Sequence, residues 1–128
     1  MTRFIDFSTL KRPASPNTYL VAPDHIAEDA DEAVRLDIPP DAAFETLRAI
    51  VTNTSGWRLK DEDAGERRLT FVSTSPIMRF KDDVDIAVLA SDSGGSDIMI
   101  YSRSRLGYSD LGANRKRVKS LLNVLSNG

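Results

Sequence analysis

The sequence predicts one α+β domain, an antiparallel sheet packed by two helices and preceded by an irregular arm. Four strand-like runs follow one another between residues 57 and 105 with short turns between most of them, which favours antiparallel pairing. An amphipathic helix stands on each side of that block, and each needs a sheet face to bury its stripe. At 128 residues and 41% hydrophobic content the chain suits a single core without covalent staples.

The arm, residues 1–31, holds three of the six prolines. Its Phe4, Phe7, Leu10, Tyr19, Leu20 and Val21 are too apolar for a free tail, so it is expected to dock on the domain formed by residues 32–128. Glu28–Glu32 reads as an exposed acidic stretch. In Ala33–Ile38 the alternation of Val34, Leu36 and Ile38 marks a strand. Pro39-Pro40-Asp41 then opens a helix, since proline suits a first turn and Asp favours the positive end of the helix dipole. Phe44, Leu47, Ile50 and Val51 share one face of it, and Asn53-Thr54-Ser55-Gly56 stops it. The strand runs are Trp57–Asp61, Arg68–Ser73, Val84–Ala90 and Asp97–Arg105, the third reaching back towards Met78. Asp63-Ala64-Gly65 and Ser91–Ser96 are hairpin-type turns. A closing helix from about Asp110 to Leu125 carries Leu111, Val118, Leu121, Leu122 and Leu125 as its stripe. The order is βαββββα, that of small TBP-like and START-like domains. START-like architecture implies a pocket between sheet and closing helix.

Composition excludes several chemistries. Zero cysteines remove disulfides, thiolate zinc sites and a Cys nucleophile, and they suit a reducing, cytoplasmic location. No apolar run reaches membrane-helix length, and Met1–Leu10 lacks the pattern of a secretory signal. The net charge of −2 is unevenly placed: residues 22–66 carry twelve acidic and four basic groups, residues 99–128 one and six. A solvated helix face with a folded-back acidic segment explains this better than nucleic acid does, because the overall charge is acidic. His25 with Asp24, Glu28 and Asp29 makes a poor metal site, and no phosphate-binding loop or dinucleotide fingerprint is present. No metal and no cofactor is predicted.

The densest polar pattern lies in two strands and in the turn that leads from the second into the closing helix. Read with period two from Met78, residues Phe80, Val84, Ile86 and Val88 point one way with Asp82 among them, while Arg79, Lys81, Asp83 and Asp85 point the other. In the last strand Ile98, Ile100, Ser102 and Ser104 share a face opposite Met99, Tyr101, Arg103 and Arg105. Pairing would place Asp83 and Asp85 close to Arg103 and Arg105 as cross-strand ion pairs. The functional alternative leaves Arg79, Arg103 or Arg105 free to fork a phosphate or carboxylate. Asp82, Ser104 and Asn114, all on core-facing positions, need partners and are expected to form one structural cluster pinning the helix start to the sheet. In Leu106-Gly107-Tyr108-Ser109-Asp110-Leu111-Gly112, Ser109 or Asp110 can cap the helix, and its N-terminus beside Arg103, Arg105 and Arg115 would attract an anion. In the arm, Arg12, Ser15 and Asn17 either satisfy backbone groups at the docking site or belong to a lid over a pocket. Trp57, after Gly56, reads as a core anchor.

Leu10–Pro23 (LKRPASPNTYLVAP), Met78–Ile86 (MRFKDDVDI) and Ser102–Val118 (SRSRLGYSDLGANRKRV) together resemble DUF1499, a bacterial family with plastid relatives and no agreed activity. The resemblance implies membership rather than mechanism. Its motif positions fall on Arg12, Pro13, Ser15, Pro16, Asn17, Arg79, Phe80, Asp82, Asp83, Ser102, Arg103, Ser104, Arg105, Gly107, Ser109, Asp110, Asn114 and Arg115. The leading functional expectation is a non-enzymatic binding domain for a small anionic or amphipathic ligand or a protein partner, acting as monomer or homodimer. The alternatives are an enzyme using Asp82, Asp83 or Asp110 with arginine charge stabilisation, and a structural or oligomerisation module.

Overall fold

The structure, a computed structural model, describes residues 4–107 and 109–127. Tyr108 of the predicted strand-to-helix junction lies outside the described residues. The elements are β1 (Thr18–Val21), β2 (Val34–Leu36), α1 (Pro40–Asn53), β3 (Trp57–Asp63), β4 (Arg68–Thr74), β5 (Lys81–Ala90), β6 (Ser96–Ser104) and α2 (Ala113–Asn127). From Val34 onward the order is the predicted βαββββα, and the class is α+β. The sixth strand, β1, comes from inside the arm.

The sheet runs β1-β6-β5-β4-β3, and β2 also pairs with β6. Every pairing between these strands is antiparallel, and an isolated parallel bridge joins Val21 to Glu32. β1 lies on the Ile100–Arg103 part of β6 and β2 on the Ser96–Ile98 part, so the two form one interrupted edge with residues 22–33 looping out between them. At the corner where β2 leaves the sheet, a Cβ on Gly95 would lie 2.2 Å from the Leu36 carbonyl oxygen, and only glycine admits this approach.

One sheet face carries the main core. Ala43, Phe44, Leu47 and Val51 of α1 and Val118, Leu121, Leu122 and Leu125 of α2 bury against Leu69, Phe71, Val84, Ile86, Val88, Ile98 and Ile100. Each fully buried side chain of this size contributes roughly 1.5–3 kcal/mol. These side chains pack between the sheet and α2, on the face where a START-like pocket was expected. The arm covers the opposite face. There Phe7, Leu20 and Ala22 pack on Ala87, Met99 and Tyr101, with Ile5, Leu10, Ile26 and Ala30 around them.

Two element boundaries differ from expectation. β5 begins at Lys81 rather than near Met78, and Phe80 is 58% exposed rather than core. The Ser75 amide donates to the Phe80 carbonyl and its hydroxyl accepts from the Phe80 amide, which closes a loop containing Arg79 at φ 59°. The closing helix starts at Ala113, and Leu111 is 89% exposed. Leu111 (φ 53°) and Gly112 (φ 81°) are both left-handed, a conformation that a right-handed helix cannot include.

Candidate functional site

The start of α2 is fixed by a buried polar node centred on Asn114, which is fully buried. Its Nδ2 faces the Asn17 carbonyl at 3.0 Å, Ser104 Oγ at 3.0 Å and Asp110 Oδ2 at 2.6 Å. Its Oδ1 accepts from the Ser102 hydroxyl at 2.5 Å and Arg117 Nη1 at 2.8 Å. Arg117 Nη2 then donates to Asp82 at 2.9 Å, a pair only 12% and 10% exposed. Asp82 thus joins Ser104 and Asn114 through Arg117. Arg117 Nη1 also donates to Ser102 Oγ at 3.0 Å, which ties this buried pair into the node. Asp110 caps the helix, accepting from the Gly112 amide at 2.8 Å and the Asn114 amide at 3.1 Å, while the Ser109 hydroxyl accepts from the Leu111 amide at 3.3 Å. These bonds engage the amides of Leu111, Gly112 and Asn114 at the helix start.

The arginines of the last strand are paired. Arg103 donates to Asp85 at 2.7 Å and Arg105 forks Asp83 with two contacts of 2.9 Å. The pairs are diagonal, since Asp83 faces Arg103 and Asp85 faces Tyr101 across the strands. The Arg105 hydrogen bond holds the Asp83 carboxyl below the usual range, whereas burial pushes Asp85 up despite Arg103. Arg12 is also committed: it donates to Thr18 Oγ1, the Asp29 carbonyl at 2.7 Å and Asp31 Oδ2 at 2.7 Å. Asn17 is buried, donating to the Gly107 carbonyl at 2.7 Å and accepting from Ser15 Oγ at 3.1 Å. Arm, sheet and α2 are locked together by these contacts.

Two surface clefts lie at this end of the sheet. The larger, about 720 Å³, brings Arg12–Pro16 of the arm beside Tyr19, Asp31, Ser109, Asp110, Gly112 and Arg115. Its charges are mixed. Arg115 lies near the Tyr19 hydroxyl, which donates to Glu32, and Lys119 bonds the same carboxylate. Burial and then the Glu32 bond push Tyr19 up.

The smaller cleft, about 400 Å³, is lined by Gly56, Trp57, Arg58, Thr74, Arg79 and Lys81. Three cations stand in it and no carboxylate. Arg58, Arg79 and Lys81 are exposed, and none forms a hydrogen bond or ion pair through its side chain among the described residues. Trp57 stacks on Phe71 with centroids 4.7 Å apart, so its ring is held half-buried against the main core beside the cleft. Gly56, at φ 84°, brings its backbone against Thr74, whose amide donates to the Gly56 carbonyl at 2.8 Å.

Of the residues singled out by sequence, Asp82, Ser104, Asn17, Asp110 and Asn114 meet in the α2 node, Arg12, Ser15, Ser109 and Arg115 meet around the larger cleft, and Asp83, Arg103 and Arg105 form cross-strand pairs. Arg79 stands apart from all of them, in the smaller cleft. Sequence reasoning passed over Arg117, although it stands three residues after Asn114 and four before Leu121, on the edge of the same helical face. It placed Lys81 on one strand face with Arg79 without counting it as a site residue, and it passed over Arg58, which joins the two only through pairing of β3, β4 and β5.

Comparison with solved structures supports the START-like, Bet v1-like class. The crystal structure of Ara h 8.0201 superposes with a TM-score of 0.58 at 12% identity, covering 86% of this chain and 95% of that one. A protein from Nitrosospira multiformis gives 0.52 at 13% identity, covering 74% and 91%. One from Chromobacterium violaceum gives 0.50 at 12%, covering 88% and 96%. At such identities the likeness concerns the fold alone. No curated protein matches the chain significantly. No helix among the described residues is long and apolar enough to cross a membrane. Residues 10–125 match the family described as "Protein of unknown function (DUF1499)", a span that includes the motifs at 10–23, 78–86 and 102–118; the chain belongs to the DUF1499 family.

Proposed function

We propose that this protein is a binding domain for a small anionic or amphipathic ligand, and that the Trp57 cleft receives the anionic group. One observation carries the reading: of the arginines singled out by sequence, Arg12, Arg103 and Arg105 are held by carboxylates and Arg115 lies beside Tyr19 and Glu32, while Arg79 stands uncompensated beside Arg58 and Lys81. Three unpaired cations repel one another, and a phosphate or carboxylate relieves that repulsion through charge-assisted hydrogen bonds. Arg79 is held at positive φ, a conformation costing about 1 kcal/mol for a side chain of its kind, and such strain clusters at binding sites. The Bet v1-like fold is one that often binds ligands.

Binding is favoured over catalysis because the carboxylates an enzyme would need are already committed. Asp82 is engaged by Arg117, Asp83 by Arg105, and Asp110 by two helix amides. Trp57 is the sole tryptophan, so its fluorescence reports on the cleft directly. Titration with phosphorylated and carboxylated metabolites should change that signal and raise the melting temperature, and Arg79→Ala combined with Lys81→Ala should abolish both effects. A ligand that stabilises wild type and variant equally would refute this assignment.

A further inference from the structure

Five of the six large apolar side chains exposed among the described residues cluster at one end of the sheet: Ile77 (87%), Met78 (66%), Phe80 (58%), Leu106 (82%) and Leu111 (89%). The first three occupy the loop between β4 and β5. The Arg105 amide donates to the Lys81 carbonyl at 3.3 Å, so Leu106 leaves the sheet beside Phe80. Asn114 ties the α2 start to Ser104, which brings Leu111 to the same end. Single exposed apolar residues need no explanation, but a cluster at loop tips does. Two of these loops are also held in left-handed conformations, at Arg79 and Leu111. Beside the cluster Asp83 is paired with Arg105 and Asp110 caps α2, while the cations without a carboxylate partner are Arg58, Arg79 and Lys81 in the adjoining cleft and Lys116, exposed on the first turns of α2. A net-negative chain thus presents apolar tips among basic groups at one pole.

Apolar side chains interleaved with cations complement the boundary between acyl chains and anionic headgroups. We propose that this pole docks on a bilayer rich in anionic phospholipid. Ile77, Met78, Phe80 and Leu106 enter the acyl boundary, and Arg58, Arg79 and Lys81 meet lipid phosphates. This rests on the reading of the Trp57 cleft as an anion site and names the source of the anion as a lipid headgroup.

The test is co-sedimentation of the full chain with vesicles of phosphatidylcholine alone or with about 30% phosphatidylglycerol, beside a Trp57 fluorescence titration with soluble glycerol phosphate. The chain should sediment with the anionic vesicles, and less so as salt rises. Ile77→Ser with Phe80→Ser should weaken partitioning about tenfold or more, and Arg79→Ala with Lys81→Ala by a similar factor, while Val124→Ser at the far exposed position changes nothing. Circular dichroism melts confirm that each variant folds. Failure to sediment with anionic vesicles, or undiminished binding by the Ile77→Ser, Phe80→Ser chain, would overturn the proposal. So would a dimer broken by those same substitutions in a chain that ignores vesicles, since the pole would then be a self-association surface. If glycerol phosphate still perturbs Trp57 while vesicles are ignored, only the membrane step falls. Vesicle binding indifferent to Arg79→Ala with Lys81→Ala would instead remove the cleft reading and the headgroup contact together.

Discussion

Replacing Asn114 by alanine tests the logic of the α2 node most directly. The substitution opens no large void, so its cost falls on groups losing hydrogen bonds. The Asn17 carbonyl keeps the Ser104 amide at 3.1 Å, and Asp110 keeps the helix amides, so neither is orphaned. Ser102 and Arg117 both lose their Oδ1 acceptor and retain only each other at 3.0 Å and, for Arg117, Asp82. Leaving two buried donors underbonded costs about 1–3 kcal/mol each, and the surviving contact places the total at about 2–4 kcal/mol. For a domain of this length that corresponds to a melting temperature lower by roughly 8–16 °C. Urea denaturation of Asn114→Ala, Arg117→Ala and the double variant would measure both the loss and the coupling, expected above about 1 kcal/mol. A loss below about 1 kcal/mol for Asn114→Ala, or simple additivity with Arg117→Ala, would refute the claim that these residues form one unit.

Because burial raises the Asp85 pKa, the folded chain holds that proton after the unfolded chain has released it, so the stability due to Asp85 falls as pH rises from the ordinary Asp range through its folded value. Asp85→Asn should gain on wild type across that window and keep a constant difference above it, as read by chemical denaturation at stepped pH. For Asp83 the sign is opposite: its contribution is present above the ordinary range and lost as pH falls, and Arg105→Ala should move its carboxyl titration upward by NMR. Leu111→Gly should raise stability by about 0.5–1 kcal/mol by relieving a left-handed leucine, measured by urea midpoint. Gly95→Ala should destabilise by roughly 1–3 kcal/mol, because its methyl group meets the Leu36 carbonyl.

How much of the fold was legible in the sequence depended on whether a signal was local. The stripe Phe44, Leu47, Val51 and the alternation Val84, Ile86, Val88 are repeating patterns, and both faces were legible from them. The cross-strand pairing of Asp83 and Asp85 with Arg103 and Arg105 followed from strand parity alone. Phe80 and Leu111 misled because an apolar residue next to a stripe looks like its continuation, whereas the chain had turned to positive φ at Arg79, Leu111 and Gly112. Thr18–Val21 was recognisable as apolar but not as a strand, since four residues carry too short an alternation. The Trp57 cleft joins positions from β3, the β4–β5 loop and β5, and its chemistry exists only after the sheet is assembled.

The interrupted edge along β6 bears on how the protein is born. β1 leaves the ribosome before the other strands of this sheet and pairs with a strand roughly 80 residues later in the chain. At ordinary synthesis speeds that partner emerges about 4–16 s behind it. Until then Leu20, Val21 and Phe7, all buried in the finished molecule, have no face to cover. Long-range pairings of this kind slow folding. Nascent chains stalled before Ser96 should therefore recruit chaperones, and release should come only once β6 has cleared the exit tunnel.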